Sequence, residues 1–187
     1  MELHSSFTVD APIEEVWTAL MDVERIATAV PGAELTAKLS DTSYQGVVKV
    51  KVGPLTMQYR GQIDLVSRDD ATHTAVFRGK AQEKAGQGTA EGTATLTLTQ
   101  DGDATTGAVQ GSVALSGKAA AMGKGIIDKV AQQIMAIFAA NLQSMLSGAG
   151  EATAGESDGG AVNGLSIAAG VIGSMFHRDK GPAPDSE

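Results

Sequence analysis

The side chains in this sequence that could do chemistry are few and scattered. His4, His73 and His177 lie far apart with no fixed spacing to carboxylates, so they read as solvated surface histidines rather than a metal set or a base array. Asp64 and Glu83 with Arg60 are spaced to ion-pair on neighbouring strands, the pattern of a solvated face, and no nucleophile–base pair accompanies them. Gly86, Gly88 and Gly92 put the last glycine one residue late for a dinucleotide-binding turn, and no helix follows. GKAAAMGKG at residues 117–125 is one residue too long for a phosphate loop and has glycine where Ser or Thr must hold magnesium. Tyr59 differs from these. Its hydroxyl needs a partner if buried, so it can orient a ligand carbonyl, and a backbone oxygen or a water would serve it equally well. The residues therefore predict no catalytic group, no metal and no covalently bound cofactor.

The elements that must position them follow from periodicity. Leu3, Ser5, Phe7 and Val9 alternate with polar neighbours as a half-buried strand. At residues 10–32 Asp10 is placed to cap a helix, Pro12 to open it, and Ile13, Val16, Trp17 and Leu20 form one apolar stripe before Pro31-Gly32 stops a second short helix. Strand-period runs separated by Gly- and Asp-rich turns then follow, among them residues 44–52, 55–66, 73–84, 88–99 and 105–117. Ile127, Val130, Ile134, Phe138, Leu142 and Met145 recur at helical spacing in a long helix over residues 120–146. The order of strand, two short helices, six strands and a long helix predicts an α+β fold: a curved antiparallel sheet gripping its C-terminal helix.

The inward face of that sheet is unusually small. Gly61, Ala75, Phe77, Gly79, Ala81, Ala90, Gly92, Ala94, Val109, Gly111 and Val113 fall on it by alternation. A close-packed interior would fill such a layer with larger side chains, so it implies either a tightly docked helix or an open apolar cavity. The candidate wall of a cavity is Trp17, Val50, Met57, Tyr59, Phe77, Gly79, Gly92, Ala94, Leu96, Ile127, Ile134 and Phe138, although each taken singly is also a normal core position. Filling that layer at Gly92 or Ala94 is expected to abolish ligand uptake before it harms the fold.

Composition narrows the partners. The 22 acidic against 14 basic residues leave a net charge of −8 with no Lys/Arg cluster in sequence, which disfavours nucleic acid. No cysteine is present, which excludes disulfides and thiolate-held zinc or iron–sulfur centres. The first residues lack a basic stretch followed by an apolar run, so no secretory signal is expected and the protein is placed in the cytoplasm.

Three segments carry a family resemblance: APIEEVWTALMDVERIATAVPG at residues 11–32, VKVKVGPLTMQYRG at 48–61 and SGKAAAMGKGIIDKVAQQIMAIFAANL at 116–142. Through them the chain resembles the START-like (SRPBCC) superfamily of lipophilic-ligand-binding domains, and within it the family of the carbon monoxide dehydrogenase G subunit. The resemblance implies a helix-grip fold over residues 1–146 and association with the other polypeptides of a molybdenum carbon monoxide dehydrogenase. Because that enzyme's electrons must reach the respiratory chain, it further implies a non-enzymatic accessory protein. Such a protein would carry a lipophilic small molecule, menaquinone or ubiquinone, and hold the enzyme at the inner face of the cell membrane. An assembly factor without a ligand, or a polyketide cyclase-like enzyme, are the alternatives.

Beyond the domain, residues 147–160 read as a flexible linker with a reach of about 20 Å. Residues 161–176 are apolar but shorter than the roughly 20 residues a spanning helix needs. Leu165, Ile167, Val171, Ile172, Met175 and Phe176 there are expected to contact either a membrane surface or a protein, with residues 177–187 as a polar end.

Overall fold

The computed structural model describes residues 1–148. The expected linker beyond that point, the apolar segment at 161–176 and the polar end lie outside the described residues.

Seven antiparallel strands form one sheet in the order β1-β7-β6-β5-β4-β3-β2. β1 (Glu2–Val9) leads into α1 (Ile13–Met21), α2 (Val23–Ile26) and a single 3-10 turn at Ala27–Ala29. A meander follows: β2 (Ala33–Ser40), β3 (Ser43–Val52), β4 (Leu55–Asp69), β5 (Thr74–Glu83), β6 (Thr89–Asp101) and β7 (Ala104–Leu115). β7 then pairs with β1, so the chain's first strand closes the sheet's far edge. α3 (Gly117–Ala121) and α4 (Lys124–Leu146) complete the domain.

Two local details differ from the sequence-based expectation. Asp10 does not cap α1: the backbone turns sharply where Ala11 N donates to Val9 O, and Asp10 N instead donates to Gln143 Oε1 at 2.7 Å. The helix's first amide finds a partner from across the molecule, with Ile13 N donating to Gln100 Oε1 at 2.6 Å while the Gln100 amide holds the Gly102 and Ala104 carbonyls. One β6 glutamine thus serves a helix end and a hairpin turn at once, which no local motif announces. The second difference is in the last helix, which is two pieces. Gly123 sits at φ 80, a left-handed backbone that interrupts the helix and lets α3 and α4 take separate courses.

The solid core lies at one end of the concave face. Phe7, Val9, Val16, Trp17, Leu20, Leu96, Leu98 and Leu142 are all buried there, sealed by α1 and the C-terminal half of α4. A buried Thr105 ties the end of β1 to β7, its hydroxyl donating to Ala11 O at 2.7 Å. A bulge in β4 between Leu65 and Ser67 shifts the register, so that Arg68 pairs with Ala75 and turns its guanidinium over the Trp17 ring at 5.7 Å. At the other end a smaller closed cluster of Met57, Tyr59 and Ala119 packs under α3 with Val52, Leu115 and Met122.

Candidate functional site

Between these two clusters the concave face is hollow. A cavity of about 640 Å³ is roofed by Ala131, Ile134 and Met135 of α4 and walled by Val23, Ile26, Ala27 and Val30 from α2 and the segment after it. Its floor is the glycine-rich belt of the sheet, and the lining is overwhelmingly apolar. The two alternatives for the small inward layer are thereby separated: no helix fills it.

The belt has a backbone cause. Gly46 pairs with Gly61 and Gly79 with Gly92, while Gly111 lies opposite Ala94. A side-chain carbon on Gly92 would lie 2.5 Å from Ser112 O, and one on Gly111 2.6 Å from Thr93 O; at Gly61 it would collide with the Lys80 carbonyl and Ala81. These glycines allow neighbouring strands to close up where the sheet curls. Gly79 is different, because nothing lies nearer than Gln62 O at 4.0 Å, so there the missing side chain is open space. Gln62, Lys80 and Thr93 point to the opposite face by alternation, and they border the cavity where the belt leaves the backbone bare.

Of the residues expected on the wall, Tyr59, Phe77, Gly79, Gly92, Ala94 and Ile134 line this cavity. The other six are elsewhere, for identifiable reasons. Trp17 is sealed in the solid core, its indole N–H donating to Asp70 Oδ1 at 2.7 Å and its ring edge-on to His73. Leu96 belongs to the same core, and Phe138 packs edge-to-face on Phe7 at 5.4 Å. Met57 is closed under α3. Val50 is half-buried on β3 directly opposite Met57, and Ile127 is half-buried near the start of α4, where the helix stands beyond the cavity's roof. The α2 residues were missed because their spacing is too short to show a helical stripe, and Val48, Ile63 and Val109 because they resemble any inward strand position.

Tyr59 joins the cavity to the closed cluster. Its hydroxyl donates to Met57 Sδ at 3.8 Å, a weak acceptor, and burial followed by the Glu83 carboxylate holds the phenol above the usual tyrosine range. A neutral hydroxyl that has, among the described residues, a thioether as its partner suits a ligand oxygen better than proton transfer. Among the described residues no group of three His, Asp or Glu is arranged to hold a metal ion. His73 Nε2 lies 3.0 Å from Glu14 Oε1, but the pair belongs to the Trp17 end and does not line this cavity.

Residues 5–147 match the family of the carbon monoxide dehydrogenase G subunit, CoxG. The chain belongs to that family. Solved structures with the same fold include a conserved protein from Geobacillus kaustophilus at 18% identity and a TM-score of 0.71, covering 80% of this chain and 97% of that one. The Zhui aromatase/cyclase from Streptomyces sp. R1128 is 15% identical at a TM-score of 0.56, covering 83% and 99%. A truncated norcoclaurine synthase from Thalictrum flavum is 13% identical at 0.54, covering 78% and 92%. At these identities the likeness is one of fold: this CoxG family member has the helix-grip architecture of START-like proteins. Comparison with curated protein sequences finds no match. Among the described residues of this CoxG chain no helix is long and apolar enough to cross a membrane.

Proposed function

We propose that this protein binds a lipophilic ligand, a respiratory quinone of the menaquinone or ubiquinone type, in the cavity and recruits molybdenum carbon monoxide dehydrogenase to the membrane. The observation that carries the reading is an apolar space of about 640 Å³ in a member of the CoxG family. At about 30 Å³ per non-hydrogen atom, the share of a water in the liquid, it holds about 20 atoms. That is a quinone ring and its first prenyl units, with the rest of a long tail continuing past the mouth. The protein's part is then carriage and delivery, not catalysis. Residues 161–176, through Leu165, Ile167, Val171, Ile172, Met175 and Phe176, supply the membrane hold in this reading.

Native mass spectrometry of protein taken from its own cells tests the ligand: a co-purifying quinone is expected, and its absence favours the ligand-free assembly factor. Gly79→Leu and Ala94→Phe should abolish quinone uptake while far-UV circular dichroism stays near normal. Deleting residues 149–187 should leave the dehydrogenase active with an artificial dye yet poor at reducing membrane quinone. Wild-type CO-dependent respiration by the truncated protein would overturn the tether.

A further inference from the structure

Three connections and a helix break meet at the hollow end of the molecule: the Gly53-Pro54 turn of β3 and β4, the β5–β6 turn, α3, and the first turn of α4. Lys84 N donates to Gln58 O at 2.8 Å and Lys118 N to Gln87 O at 3.2 Å, while Val52 and Met122 pack on the same Met57–Tyr59–Ala119 cluster. Val52 pairs with Leu55 across a two-residue turn, with Gly53 at φ 57 in its first position. Leu55 and Ile126 are each 43% exposed here, next to an exposed Pro54. Lys51, Lys84, Lys118 and Lys124 lie at this end against the carboxylates of Glu2, Glu83 and Asp128, and of these four lysines only Lys124 has a carboxylate of the described residues within 4.0 Å, Asp128 at 2.7 Å.

The opposite end is acidic. Its turns and α1 carry Asp10, Glu14, Asp41, Asp69, Asp70 and Asp103 against Lys38 and Arg68, which pair with Asp41 at 3.4 Å and Asp70 at 2.6 Å. α4 begins at the lysine end and finishes beside Asp10, so its dipole adds to the separation with the same sign. A chain of net charge −8 is repelled as a whole by an anionic surface and can approach it only with this end forward.

We propose that this lysine-rimmed apolar pole docks on the headgroup region of an anionic lipid bilayer. Leu55 and Ile126 enter the interface, and the lysine stems lie along them with their ammonium groups at phosphate depth. The apolar residues sit at a hairpin tip and a helix start, which suits a deformable lipid surface better than a preformed protein groove. The inference goes beyond the proposed function, since it needs neither a quinone nor residues 161–176. The described chain ends at the acidic end of α4, about 35 Å from the pole for a helix of 23 residues, so the two membrane contacts are separable. The closed cluster under α3 lies between the pole and the cavity and shares Tyr59 with the cavity wall, so docking here sets the cavity beside the bilayer.

The absence of cysteine gives a direct test on the full chain. Leu55→Cys carrying an environment-sensitive fluorophore is mixed with vesicles of phosphatidylglycerol and phosphatidylcholine; Asp103→Cys, at the acidic end, is the control. The Leu55 label should shift to the blue and be quenched by bilayer-borne nitroxide. The shift should vanish on pure phosphatidylcholine and at about 1 M salt, where screening is nearly complete, and the Asp103 label should not respond. Lys84→Glu with Lys118→Glu should weaken vesicle binding at the label about tenfold or more, with Trp17 emission confirming the fold. Ile172→Asp with Phe176→Asp should leave the Leu55 signal in place. A silent Leu55 label on protein that still sediments with vesicles overturns the proposal. So does a label that responds to the dehydrogenase and not to lipid, which would make the pole a protein-docking face. A responding label on protein that never carries quinone sinks only the function proposed above.

Discussion

The two ends of the concave face are built from the same strands and the same helix, yet one is solid and the other hollow. At the solid end Phe7, Trp17, Leu96, Leu98 and Leu142 interdigitate, and the polar groups around them find specific partners such as the Trp17–Asp70 bond. At the hollow end glycine and alanine line the sheet, and α4 passes over without filling the space. The solid end holds the fold together, which frees the other to keep a cavity that a close-packed protein would have collapsed. The ends differ in charge as well: carboxylates outnumber cations at the solid one, and lysines outnumber carboxylates at the tip of the hollow one.

The largest effect that would sharpen this contrast comes from two truncations on one helix. Leu142 is fully buried in the solid core, so Leu142→Ala should cost about 2–5 kcal/mol in urea unfolding followed by Trp17 emission. Ile134, two turns earlier, borders the cavity, and Ile134→Ala should cost less than about 1 kcal/mol because the space beside it is already empty. Equal losses would mean that the cavity is filled in solution.

A smaller contrast lies within the glycine belt. Gly92→Ala forces a carbon to within 2.5 Å of Ser112 O and should destabilise by about 1–3 kcal/mol. Gly79→Ala meets open space and should be neutral or stabilising by up to about 1 kcal/mol, measured by the same unfolding curves. This revises the expectation that Gly92 is a place to fill the cavity: a side chain there strains the sheet first, and Gly79 is the proper probe.

The smallest effect is at the acidic end and depends on pH. Hydrogen bonds from Trp17 and then Arg68 hold Asp70 below the usual carboxylate range, and the side-chain and backbone groups of the next turn do the same for Asp69. A carboxyl lowered in the folded state adds stability that is complete above its unfolded pKa of about 3.9 and is lost as pH falls through the folded value. The melting temperature should therefore fall on acidification below about pH 4. Asp70→Asn should reduce that slope, whereas Lys84→Glu at the other end should leave the Asp70 contribution intact. Both carboxylates are exposed, so the difference is modest.

Much of this protein was set by local pattern. Strand alternation gave the meander and its faces, because a period of two survives wherever one face is buried. The small inward layer was visible for the same reason, as was the membership of Tyr59, Phe77, Gly79 and Ala94 in the cavity wall. The α1 stripe of Val16, Trp17 and Leu20 marked a buried helix, but not which end of the concave face it would seal. Distance along the chain hid the rest. Gln100 capping a helix across the sheet, Phe138 packed on Phe7 and not on the cavity, and Met57 shut under α3 each depend on where a distant element lands. Gly123 broke a helix expected to start at residue 120, because the apolar period that marked the helix begins only at Ile127 and does not register a single left-handed residue before it. The lysines show the limit most plainly. Lys51, Lys84, Lys118 and Lys124 are dispersed in sequence and form no cluster there, and only the antiparallel return of the strands brings their turns to one pole. Charge is a property of each residue, but a field is a property of their arrangement in space.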